Sequence, residues 1–254
     1  MKQLSFVFLL LVSSVTTGFA QRSGGKTSPS TPFNFKVNLS ALFLRNVSLQ
    51  GEYAFHKNLS VCLGGRWMFP YSLTTVLGDQ GIELQSPQIR RGYAITPELR
   101  FYPGKKEKHQ APYVFYLAPY VRYTNFNFSA LVPLDPDPTA FFPGGNADLS
   151  LNYTGWAGGV MMGSQWVINH FTIDWWIMGM HLGQGSIAGT ASSPLFGIYP
   201  DASAELQDEI QSAMSDLPFD TQTTVSVINN TAEVKVTGLP FGGFRGGLCL
   251  GFAF

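Results

Sequence analysis

Eight ionisable side chains hold the chemical potential of this sequence: Lys36, Glu52, Arg66, Glu98, Arg100, Arg122, Asp174 and Arg245. Each stands in a segment where bulky apolar residues alternate with small or polar ones, and each falls on the small or polar side. Residues two apart on a strand share a face, so the eight charges would share an interior. An unpartnered charge removed from water is expensive, which makes mutual neutralisation the first expectation. Pairs such as Glu52 with Arg66, or Glu98 with Arg122, would supply it. Counted from the ends expected to be periplasmic, Arg66, Arg122 and Arg245 lie in the outward half of the lumen, and Glu52, Arg100 and Asp174 lie lower. That upper tier either binds an anion or a sugar acid, or pairs with Glu98 and buried carbonyls.

Catalytic chemistry finds less support. Of the four histidines, His56, His109 and His170 fall in predicted turns and read as solvated. His181 lies near Ser186, a combination suited to acyl transfer, but an activated nucleophile also needs a third, orienting group, and none is spaced for the task. No metal-ligand cluster, phosphate-cradling loop or nucleophile motif is present. No catalytic residue, metal or cofactor is therefore expected. Cys62 and Cys249 lie on the small side of strands that are not neighbours, beyond the roughly 7 Å reach of a disulfide, and read as free buried thiols.

The elements that must position these groups are strands. From Phe244 to Phe254 the even positions are Phe, Gly, Leu, Leu, Phe and Phe, and the odd ones are Arg245, Gly247, Cys249, Gly251 and Ala253. A period of two marks a strand between unlike surroundings. The same pattern predicts strands at Asn34–Phe43, Val47–Phe55, Leu59–Phe69 and Gly92–Pro103, two more starting at Tyr113 and Phe171, and a glycine-rich one at Leu151–Ile168 with poorly separated faces. Loops are predicted at 70–91 and 133–148, with a large insertion at about 183–242. Inside that insertion, Ala204–Leu217 has helical spacing, and Thr223–Val236 reads as a hairpin about Asn229-Asn230. Pro97 and Pro119 interrupt two strands; if they face each other, one local bulge would absorb both.

Composition narrows the class. Charged residues make up 13% of the chain, with 16 Lys+Arg against 16 Asp+Glu, so no field attracts nucleic acid. Aromatics reach 14% and glycines number 27, while no apolar run beyond the N-terminus is long enough for a membrane helix. Residues 1–20 read as a signal peptide, with basic Lys2, an apolar core from Leu4 to Val12 and a small-residue cleavage site after Ala20. Residues 21–32 read as a disordered lead-in. With the N-terminus periplasmic, short turns and long connections alternate as they do in outer-membrane barrels, apart from a short first loop. The expected fold is all-β: a closed antiparallel transmembrane β-barrel of about eight strands over 33–254. Ten strands is the alternative if the Thr223–Val236 hairpin enters the wall.

The signal peptide, the run Thr96-Pro97-Glu98-Leu99-Arg100-Phe101-Tyr102, the run Tyr116 to Tyr123 and the ending Phe244 to Phe254 resemble an uncharacterised family of Gram-negative outer-membrane β-barrels with the small OmpA-type plan. The resemblance implies that Phe252 and Phe254 form a C-terminal signal read by the barrel assembly machinery. It also implies contact with outer-membrane lipid and lipopolysaccharide. The OmpA-type peptidoglycan-binding domain is missing, so cell-wall anchoring is not expected. The plan serves adhesion, structural, small-channel and lipid-modifying roles. The leading expectation is a non-enzymatic barrel in the cell outer membrane, envelope-structural or engaged in surface interaction, with its extracellular partner open. The alternatives are a lipid-modifying enzyme at the His181 end and a soluble secreted barrel holding an apolar ligand.

Overall fold

The computed structural model describes residues 32–56, 58–72, 85–103, 114–134, 144–194, 222–228 and 230–254. In chain order they form β1 (Phe33–Asn38), a one-turn helix α1 (Leu39–Phe43), β2 (Asn46–His56), β3 (Leu59–Met68), β4 (Tyr71–Ser72), β5 (Gln85–Phe101), β6 (Val114–Leu134), β7 (Gly145–Ile168), β8 (Phe171–Ser192), β9 (Gln222–Ile228) and β10 (Thr231–Ala253). The strands pair antiparallel in the order β1-β2-β3-β5-β6-β7-β8-β10, and β1 returns to β10. Eight strands therefore close a barrel. Phe33 N donates to Phe254 O (3.1 Å) and Phe254 N donates to Phe33 O (2.9 Å), sealing the ends of the chain together.

The hairpin expected at Thr223–Val236 is present as β9 and the beginning of β10. It lengthens one wall strand and adds β9 beside it, so the ring stays at eight. The predicted signal peptide, nearly all of the lead-in, the helix at Ala204–Leu217 and His109 lie outside the described residues.

Several boundaries move. The first strand ends at Asn38, not Phe43, because the Asn38 side chain accepts a hydrogen bond from Ala41 N (3.0 Å) and caps α1. Leu39, Ala41 and Phe43 alternate in sequence, but the cap wins over the alternation; Ala41 is buried and Phe43 is 90% exposed. Arg45, in the left-handed region at φ 54, then turns the chain into β2. The predicted loop at 70–91 gives up its last seven residues to β5, and the insertion at 183–242 shrinks from both ends as β8 runs to Ser192 and β10 starts at Thr231. These stretches are rich in Ser, Thr, Gln and Gly and read as loop. They are strand because at least one neighbouring strand continues the ladder beside them.

The two prolines do not face each other. Pro97 lies opposite Leu63 of β3, and Pro119 opposite Val160 of β7. Between β5 and β6 the register at Ile95↔Tyr123 is unchanged at Glu98↔Tyr120 and at Phe101↔Leu117, so the ladder thins there without a bulge. The bulges of β5 fall instead near Gln88 and Arg91.

Two other irregularities decide which side chains enter the lumen. In β8 an extra residue at Ile177 shifts the register to both β7 and β10. Ile177 and Met178 are consecutively exposed, at 40% and 45%, and the inward set changes from Thr172, Asp174 and Trp176 to Gly179 and His181. In β10, Gly238 (φ 83) occupies a second shift, where a left-handed backbone suits glycine.

The inward face of β7 is made of Gly155, Ala157, Gly159, Met161, Gly163 and Gln165, in which the glycines leave space for rings of the neighbouring β6: Tyr120 stands opposite Gly159 and Tyr116 opposite Gly163. A Cβ on Gly159 would meet Met180 O and come within 2.8 Å of both Tyr120 Cζ and His181 Cβ, whereas one on Gly158 would meet nothing within 4 Å. Gly159→Val is expected to abolish the folded barrel and Gly158→Val to preserve it, measured as the fraction migrating as a compact, heat-modifiable band on a gel.

Candidate functional site: the charged lumen

All eight charges read from the sequence lie on the inward face, where seven are buried and Arg66 is half-buried. The register brings six of them into direct pairs. Lys36 Nζ donates to Glu52 Oε2 (2.6 Å), Gln165 Oε1 (2.8 Å) and Asp174 Oδ2 (2.8 Å), which uses all three ammonium hydrogens. Arg100 Nη1 donates to Asp174 Oδ2 (2.8 Å) and Gln165 Oε1 (3.0 Å). Its Nη2 reaches Gln50 Oε1 (3.1 Å) and Glu98 Oε2 (3.2 Å), and its Nε reaches the same Glu98 oxygen (3.3 Å). Arg245 Nη2 lies 2.7 Å from Glu98 Oε1. Charge-assisted bonds of this kind are shorter and stronger than neutral ones.

Hydroxyl groups complete the carboxylates. Glu52 Oε1 accepts from Ser60 Oγ and from Tyr102 Oη (2.6 Å), and Asp174 Oδ1 accepts from Tyr116 Oη (2.8 Å). The Tyr116 ring also lies 4.2 Å from Arg100 Cζ, a cation–π contact. Arg100, Tyr102, Tyr116, Lys36, Met161 and Gln165 are each less than 2% exposed, so at this level the interior is filled by side chains.

The partners differ from the expected ones. Glu52 sits opposite Cys62 while Arg66 sits opposite Ser48, so the strand offset separates Glu52 from Arg66 and gives it to Lys36. Glu98 lies opposite Tyr120, and its oxygens turn to Arg100 and Arg245, leaving Arg122 to donate to Thr124 Oγ1 (3.2 Å). Three cations (Lys36, Arg100, Arg245) thus face three anions (Glu52, Glu98, Asp174). Among the described residues, neither Arg66 nor Arg122 has a carboxylate within ion-pair distance.

Gln165 and Tyr102 are essential members that sequence reading missed. Gln165 stands in the strand whose faces looked mixed, and Tyr102 is a bulky ring two residues past Arg100, near a strand end. The glycines four residues apart on β7, at 155, 159 and 163, were the available signal for the inward parity. Phe252 and Phe254 are outward, 55% and 60% exposed; Phe252 stacks on His170, whose Nδ1 lies 2.9 Å from Ala253 O. His56 is exposed at the β2–β3 turn, with its Nδ1 accepting from Asn58 N (3.2 Å). His181 is buried, its Nδ1 3.1 Å from Tyr120 Oη. Ser186, five residues on along an unshifted ladder to β7, faces the other way, so the two form no catalytic pair. Cys62 and Cys249 are buried free thiols. Among the described residues no group of His, Cys, Asp and Glu is placed to hold a metal ion.

Ring closure and this interior define a closed, eight-stranded β-barrel whose lumen carries a hydrogen-bonded charge network. The chain belongs to the family described as protein of unknown function (DUF3575), whose profile matches residues 5–191. No curated protein matches the chain. Among solved structures, the outer membrane protease OmpT of Escherichia coli is similar at 8% identity and a TM-score of 0.37, over 87% of this chain and 92% of that one.

Removing one partner of a buried pair leaves an uncompensated charge and costs about 3–5 kcal/mol. Asp174→Asn, which strips Lys36 and Arg100 of their shared acceptor charge, is expected to lower the unfolding free energy by that order in urea titrations followed by tryptophan fluorescence. Adding Lys36→Met should recover part of the loss.

Proposed function

We propose that this protein is an integral outer-membrane β-barrel, non-enzymatic, with an envelope-structural or surface-interaction role, exported by residues 1–20 and cleaved after Ala20. The observation that carries the reading is the chemistry of the outward face. Phe35, Leu63, Trp67, Leu99, Val121 and Trp156, from five different wall strands, stand 44–59% exposed on the outside of the ring. The lumen holds Lys36, Glu52, Glu98, Arg100 and Asp174 at under 5% exposure. A soluble barrel has no reason to turn rings outward and charges inward. In hydrocarbon the sorting follows directly, because an arginine at mid-depth costs about 2–4 kcal/mol. β2 and β3, at 11 and 10 residues, match the roughly 9–11 residues that a tilted strand needs to span a bilayer. A closed ring also leaves little unpaired backbone to face lipid.

Two observations favour a non-enzymatic role over lipid modification. His181 and Ser186 point to opposite faces, and the buried carboxylates are consumed by cations and hydroxyls. The upper reaches of β7, β8, β9 and β10 are polar, with Ser150, Asn152, Thr190, Thr224, Glu233 and Lys235 around one depression, the composition of a surface exposed to water and to other molecules.

Membrane fractionation tests the reading. The mature chain is expected in the outer-membrane fraction, released by detergent and not by carbonate or high salt, with an N-terminus at Gln21. Recovery from the soluble periplasm would end the proposal.

A further inference from the structure

The six paired charges leave a remainder. Arg66 and Arg122 lie on the inward face, and each lies in the electrostatic field of the other and of Arg245. Like charges held together in a partly desolvated space repel, and the scaffold offers them little in return. Arg66 Nε is buried with no acceptor, as are Arg245 Nε and Nη1, although Arg245 as a whole is only 6% exposed. The Arg245 guanidinium is held in place from both sides, 4.6 Å above the Tyr120 ring and 4.6 Å from the Trp176 ring. His181 adds a polar edge to the same space through Tyr120 Oη.

Among the described residues, the outer edge of β10 beside this tier is paired only in part. β1 pairs with β10 only from Asn38↔Cys249 to Asn34↔Ala253, and β9 joins the same edge only from Thr237↔Gln222 upward. Among the described residues, no strand pairs with that edge of β10 between Gly238 and Leu248. α1 bridges its lower end, where Ser40 Oγ accepts from Leu248 N (2.9 Å). Arg245 stands on this stretch of β10, and Arg66 stands on β3 opposite Ser48 at the top of β2. The two unbalanced charges and the oriented guanidinium share one tier of the lumen.

We propose that Arg66, Arg122 and Arg245 form a binding site for a phosphate monoester-type dianion. A dianion balances the two excess positive charges, and its oxygens supply acceptors to guanidinium N–H groups that have none; planar forks of this kind suit phosphate oxygens. The phosphate belongs either to a lipid headgroup or to a free solute. Binding of free phosphate does not require the membrane reading to hold, so the two proposals fail separately.

The test uses the full mature chain in zwitterionic micelles and the midpoint of its heat-induced mobility shift. One arm adds inorganic phosphate against sodium chloride at equal ionic strength, and the other replaces phosphatidylcholine with phosphatidic acid. The wild type is expected to show a saturable rise of about 4 °C or more in at least one arm. A response to phosphatidic acid alone assigns the headgroup source; a response to inorganic phosphate shows that the free anion suffices. The double variant Arg66→Gln, Arg122→Gln should keep or raise its ligand-free midpoint, because repulsion is relieved, and lose the ligand-dependent rise. A wild type indifferent to both additives overturns the proposal, as does a double variant that responds like the wild type. A double variant that no longer forms a heat-resistant barrel also overturns it, by making the pair part of the scaffold.

Discussion

The structure depends on one constraint: charges from distant parts of the chain must find each other in a space that water does not supply. Lys36 on β1, Glu52 on β2, Glu98 and Arg100 on β5, Gln165 on β7 and Asp174 on β8 meet at one level of the lumen. Ladder hydrogen bonds tie each strand only to its neighbours, whereas these side chains tie strands across the diameter. A one-residue slip of any of these strands would carry its charged group to the outward face, so the network fixes register as well as closure. Buried ion pairs are weak evidence for stability in themselves, because their desolvation offsets much of their attraction. Their more secure contribution here is uniqueness: a ring closed in another register would leave these groups unpaired.

That constraint explains the small residues around it. The rings of Tyr116 and Tyr120 on β6 lean over the next strand, which must recede to admit them. β7 recedes by carrying glycine at 155, 159 and 163 on its inward side. A sequence segment with little apolar contrast is thus an ordinary wall strand facing large polar neighbours.

Much of this was legible beforehand. Inward and outward parity on β2, β3, β5, β6 and the end of β10 follows from a period of two, because those strands run without interruption through the charged level. The eight charges could be placed on one face for the same reason. Partner choice could not, since it depends on the offset between strands, which alternation along one strand does not encode; Glu52 therefore meets Lys36 and not Arg66. The orientation of His181 was hidden for another reason. Residue counting from Ile173 and Trp175 puts it outside, and only the extra residue at Ile177 turns it in. Asn38 shows local chemistry overriding pattern, where one capping carboxamide stops β1 after six residues.

The wall strands differ greatly in length. β2 and β3 hold 11 and 10 residues, whereas β7, β8 and β10 hold 24, 22 and 23. At about 3.3 Å per residue, the long strands have a contour roughly 40 Å greater than the short ones. Among the described residues the rim is consequently a ramp, low at β2 and β3 and high at β8 and β10, where β9 broadens the crest. Such a molecule has a front and a back. In a crowded layer, neighbours could draw close over its low side and would be fended off by its high one, so its azimuth among them would not be random.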